Sequence, residues 1–161
     1  MASNSGVILS HWYCLLEGMQ YSTQDFYSSL EEVINSRNLP EIKISRINLH
    51  EGGALSAKRE YLNVKRKTKN FDVCAAPYGN GFFVSWWLRE AEGCLSAIPL
   101  LGTLMTSMQS MTYYQIDTTL MFQESIRKSV LQVIDEITKA KGIRELSEEE
   151  RKPIMHSMFK K

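Results

Sequence analysis

Between Ile42 and Leu88 the apolar residues recur at every second position in four short runs, and polar or glycine-rich breaks separate them. A period of two is the mark of strands that bury one face. "EIKISRINLHE" sets Ile42 and Ile44 in one phase and Ile47 and Leu49 in the other, which predicts a bulge near Ser45 and Arg46. Gly52 and Gly53 supply the next turn. "REYLNVKRK" puts Leu62 and Val64 on one face and Tyr61, Asn63 and Lys65 on the other. Lys67 to Asn70 reads as a polar turn. "FDVCAA" and "GFFVSWWL" are two further strands, reversed through Pro77 to Gly81. Short connections between sequential strands predict a four-stranded antiparallel meander.

The flanking segments read as helices. Ser22 and Asp25 mark a start, and Phe26, Leu30, Val33, Ile34 and Arg37 follow at helical spacing. Asn38 and Pro40 stop the run, which predicts a helix over 23–37. After the strands, Asp117 is the expected cap of a long helix. Its stripe is Ile126, Val130, Val133, Ile137 and Ala140, widened by Leu131 and Ile134, and Gly142 stands where the helix should end. Ser147 and Glu150 form a capping pattern that predicts a short terminal helix, interrupted by Pro153. Residues 1–21 have no clean period and fit either a strand or a short helix. Residues 91–116 are apolar without a dominant period and carry Met105, Met108 and Met111. The expected fold is one α+β domain over residues 1–161, with its helices on one face of the sheet.

Composition limits function. The 161 residues carry a formal net charge of +1, which argues against a dedicated nucleic-acid binder. The three cysteines, Cys14, Cys74 and Cys94, are odd in number and form no CxxC pair, so free thiols in a reducing, cytoplasmic setting are expected. The opening residues lack the pattern of a secretory leader, and no window reads as a membrane span. His11, His50 and His156 lie far apart in sequence with no metal spacing, so no metal site and no cofactor are expected.

From Val73 to Leu88 no charged side chain occurs, and Phe82, Phe83, Trp86, Trp87 and Leu88 crowd together. Alternation places Phe82, Val84 and Trp86 on one face and Phe83 and Trp87 on the other. Helices can cover only one of these. The second face is then roofed by the 91–116 segment, open as an aromatic docking surface, or set as a foot in a membrane interface. The candidate binding residues are Tyr78, Phe83, Trp86, Trp87, Met105 and Met108. Lys58, Arg59, Lys65, Arg66, Lys67 and Lys69 are a candidate anionic-ligand patch, to be set against the plainer reading of an edge strand guarded by lysines. "PYGNG" has backbone amides that could hold a phosphate, but fits a hairpin turn better. Cys74, in mid-strand, reads as an inert core thiol.

The order helix, four-strand meander, long loop, helix is similar to ubiquitin-conjugating enzymes and their inactive relatives. That resemblance implies thioester transfer through a loop cysteine, here Cys94, although the family's His-Pro-Asn signature is absent. "KREYL", "APYGNGFFVSWWL" and "DTTLMFQES" also resemble stretches of small bacterial proteins without assigned function, which transfers no activity. The favoured expectation is a non-enzymatic intracellular module that docks a protein partner through the aromatic sheet face or the Met-rich segment. The alternatives are a conjugating-enzyme-like protein and a peripheral membrane or anionic-ligand binder.

Overall fold

The computed structural model describes residues 6–50, 58–91 and 112–156. Among the described residues, six strands and two helices build the α+β fold. In chain order they are β1 (Val7–Leu16), α1 (Thr23–Ser36), β2 (Lys43–His50), β3 (Lys58–Arg66), β4 (Lys69–Tyr78), β5 (Gly81–Glu90), α2 (Tyr113–Ala140) and β6 (Ile154–Met155). They form one antiparallel sheet in the order β2-β3-β4-β5-β1-β6. The expected sheet of four strands is thus enlarged to six. The ambiguous N-terminal segment pairs with β5, and a two-residue strand from the C-terminal region pairs with β1.

Both helices pack on one face. That face buries Trp12 and Leu16 from β1, Leu62 and Val64 from β3, Phe71 and Val73 from β4, and Phe82, Val84, Trp86 and Leu88 from β5. From α1 it receives Phe26, Leu30 and Ile34; from α2, Phe122, Ile126, Val130, Val133 and Ile134. Each fully buried large apolar side chain contributes about 1.5–3 kcal/mol, so this layer is the main source of stability. α1 starts where Ser22 accepts the Asp25 amide and ends at Asn38, whose φ is 50°.

Four local expectations change. The strand bulge lies in β1, between Ile8 and Ser10, and not in β2, whose register with β3 is unbroken from Lys43 to His50. The bulge turns both Leu9 and Ser10 inward, which erased the period of β1 in the sequence. In β2 the phase shift arises because Arg46 takes a helix-side position. There its guanidinium meets Glu31 at 2.7 Å and lies 4.6 Å from the Tyr27 ring. Ile47 and Leu49 therefore share the other face. α2 is capped by Thr112 and Gln115, which hydrogen-bond each other's backbone amides, and not by Asp117, which lies inside the helix. Ala140 is exposed. The Ser147–Glu150 capping pair forms, but it closes a single turn; Trp12 Nε1 donates to the Glu150 carbonyl at 2.6 Å, and the chain then extends into β6.

The β3–β4 ladder runs from Arg66 and Lys69 to Leu62 and Val73. Past that point Tyr27 of α1 enters the gap. Its hydroxyl lies 2.9 Å from the Glu60 carbonyl and 3.2 Å from that of Val73, and accepts the Ala75 amide at 3.0 Å. One side chain thus satisfies backbone groups that the separated strands leave open.

Candidate functional site

The sheet face opposite the helices is defined by register. One row across the strands is Lys43, Lys65, Asn70, Arg89 and Ile8; the next is Ser45, Asn63, Asp72, Trp87 and His11. Further along come Cys74, Ser85 and Tyr13, and then Ala76, Phe83 and Leu15, with Tyr78 opposite Gly81. The face has two halves. Around the β4–β5 turn it is apolar, with Tyr13, Leu15 and Tyr78 exposed and Phe83 half-buried. Gly79, at φ 59°, allows the reversal there.

The other half is polar and largely buried. Asp72 is 2% exposed and Arg89 8%. Arg89 Nε donates to Asp72 Oδ2 at 2.6 Å, and Asn63 Nδ2 donates to Asp72 Oδ1 at 2.6 Å. Asn63 Nδ2 also lies 3.3 Å from Asn70 Oδ1. Both carboxylate oxygens are therefore satisfied, as a buried charge requires. Beside this cluster is a pocket of about 290 Å³, lined by Ile8, Leu49, Tyr61, Asp72, Trp87 and Arg89. Apolar and aromatic walls around a few convergent polar groups are the usual make-up of a small-ligand site.

On its far side Trp87 stacks on His11, with ring centroids 4.6 Å apart and planes 12° off parallel. His11 in turn stacks on His156, and its Nδ1 lies 2.6 Å from His156 Nε2. One nitrogen donates and the other accepts, so the pair holds one shared proton in this bond. Burial, and then His156, lower the pKa of His11. His11 and His156, far apart in sequence, are brought together by β6 pairing on β1, whereas His50 stands at the end of β2 on the opposite edge of the sheet. Among the described residues no cluster of metal-ligating side chains reaches three members.

Of the residues singled out from sequence, Phe83, Trp87 and Tyr78 share this face. Trp86 does not: it is 0% exposed beneath the helices and stacked on Phe71 at 4.8 Å, so it is removed from any docking surface. Met105, Met108 and Cys94 lie outside the described residues. The basic residues do not form one patch. Arg59 and Lys65 face the second side of the sheet at opposite ends of β3, whereas Lys69 pairs with Glu90 at 2.6 Å, and Arg66 and Lys67 both reach Glu41. Cys74 is fully buried, as expected of a core thiol, but on the second face beside Arg59, Tyr61 and Ser85 and outside the helix-side cluster; burial raises its pKa. Burial pushes the Cys14 thiol up to about 12. Neither described thiol is primed as a nucleophile. No helix among the described residues is long and apolar enough to cross a membrane.

Asn63, Asn70, Asp72 and Arg89 were not singled out from sequence. A signal existed. A hairpin reversed at Gly79 and Asn80 lays Asp72 across from Trp87 and Asn70 across from Arg89, which makes the acid and the arginine diagonal neighbours. No protein-family model matches the chain, and comparison with curated proteins and with solved structures returns no match.

Proposed function

We propose that this chain is a non-enzymatic, intracellular binding module that docks a protein partner on the sheet face turned away from the helices. The observation that carries this reading is the clustering of Tyr13, Leu15, Tyr78 and Phe83 on that face, with Tyr78 74% and Tyr13 61% exposed. Apolar side chains grouped in this way mark interaction surfaces more often than isolated ones do. Aromatic residues supply much contact area at low entropic cost, which suits a docking role. The neighbouring polar half adds hydrogen-bonding groups held rigidly by strand pairing.

A photo-reactive phenylalanine analogue placed at Tyr13 or Phe83 reports on the sheet face; at Tyr114, on the surface of α2, it reports on the helix side. The expected outcome is a discrete cross-linked species from the two sheet positions in the native cell and none from Tyr114. Cross-links from Tyr114 alone, or from no position, would overturn the reading.

A further inference from the structure

Three observations converge beside Trp87. The first is the pocket of about 290 Å³, with Trp87 and Tyr61 as aromatic walls and the Asp72–Arg89 pair as polar lining. This volume lies at the lower end for ligand sites and suits a body of about one ring. The second is the ion pair itself. Buried pairs seldom add stability over apolar residues of the same size, so core energetics do not account for one placed on the face away from the helices. Arg89 is held through Nε, and among the described residues its two terminal nitrogens have no other hydrogen-bond partner. Two terminal guanidinium nitrogens make parallel hydrogen bonds to a carboxylate. The third is charge. On this face the described strands carry Lys43, Arg59, Lys65 and Arg89 against the single acid Asp72. Lys43, Lys65 and Arg89 lie in one row that ends at the pocket. Asp72 neutralises Arg89, and the remaining cations leave a positive field that draws an anion in.

We infer that this pocket is a carboxylate site: its ligand places one carboxylate on the outer edge of Arg89 and a flat apolar body between Trp87 and Tyr61. A single negative charge fits better than a doubly charged phosphate ester, because Asp72 borders the same space. The inference rests on the proposal that this face is the working surface, and it names what the surface recognises. The chemistry has two sources: a free aromatic acid, or the C-terminal carboxylate of a peptide that ends in an aromatic residue.

The test is a titration of the full chain followed by NMR at the Trp87 indole and the Arg89 Nε proton. The probes are phenylacetate, its neutral isostere phenylacetamide, and Gly-Gly-Phe as free acid and as amide. Both acids should shift both signals, and each amide should bind at least about tenfold more weakly. Tighter binding of the tripeptide acid identifies a chain terminus as the natural source; tighter binding of phenylacetate identifies a free acid. Two variants at accessible positions protect the test from misfolding. Lys65→Gln should weaken the acids about two- to threefold and flatten their salt dependence, and Leu49→Trp, which fills the pocket, should abolish binding. Equal affinity for acid and amide, or no shift at Trp87 and Arg89 with any probe, would overturn the inference. Sheet-face cross-links with four silent probes would sink the carboxylate site alone; phenylacetate binding with cross-links from Tyr114 alone would sink the docking reading alone.

Discussion

Trp86 and Trp87 are consecutive in sequence, yet they belong to two different chemistries. Trp86 lies under α2, stacked on Phe71, which in turn meets Phe122 edge-on. Trp87 is half-buried on the reverse face, between the Asp72 cluster and the stacked histidines. The helix side is closed by apolar volume. The other side buries charge and amide groups and leaves aromatic edges accessible. A strand one residue wide in its alternation can therefore carry a structural face and a chemical face at the same time. The comparison teaches that residue type does not assign the role here; parity along the strand does.

The sharpest way to break this contrast is to truncate each indole in turn. Trp86→Ala should cost about 3–5 kcal/mol, because a large cavity opens in a layer that cannot collapse. Trp87→Ala should cost less than about 1.5 kcal/mol, read from urea unfolding with unchanged m-value. Equal losses would remove the distinction between the faces. Trp86→Phe sharpens it further. The indole Nε1 of Trp86 is the one buried side-chain polar atom without a partner among the described residues. Removing that nitrogen recovers part of the volume penalty.

Next in size is the ion pair. Arg89→Met strands the Asp72 carboxylate in a site where Asp72 is 2% exposed, and should cost about 3 kcal/mol. The double change Asp72→Leu with Arg89→Met should restore most of that loss, since no charge is then left buried without its partner. If the double variant is as unstable as the single one, the pair is a structural device and the contrast weakens. If stability returns while phenylacetate binding does not, the pair serves recognition. Tyr27→Phe, at the joint between α1 and the sheet, should cost about 1–3 kcal/mol, because the Ala75 amide loses its acceptor in the gap between β3 and β4. Amide hydrogen exchange at Ala75 measures the same opening directly.

The structural face was legible in the sequence and the chemical face was not, for identifiable reasons. Phe26, Leu30 and Ile34, and Leu62 with Val64, announce themselves through period, because burial repeats with the geometry of the element. β1 was hidden because its bulge turns Leu9 and Ser10 the same way, and because its partner β5 lies far along the chain. Alternation sets Trp86 and Trp87 on opposite faces, but only tertiary packing says which of them the helices cover. The histidine pair depends on β6, two residues long, which leaves no periodic trace. Asp72 and Arg89 are within reach of hairpin register, but a single acid in an apolar run looks like the edge of that run. The one-turn ending at Ser147 shows the converse limit: a capping pattern forms without a helix when Pro153 and the pairing of β6 take the chain elsewhere.

The smallest expected effect is the response to pH, and it tests how tightly the two faces are joined. His11 sits between Trp87 and His156 and ties β6 to the reverse face. Burial and the neighbouring imidazole hold its pKa below the ordinary value of 6.5, so the unfolded chain takes up a proton more readily than the folded one. The contribution to stability is complete above that ordinary value and is lost as pH falls below it. A His11 imidazolium carries a proton on both ring nitrogens, so its Nδ1 can no longer accept from His156 Nε2. Urea midpoints should therefore fall between about pH 7.5 and pH 5.5 in the native chain. His11→Phe keeps a ring on Trp87 but cannot titrate, and its midpoint should vary less over the same range. An identical slope in both proteins would place the pH response elsewhere and detach β6 from the chemistry of the second face.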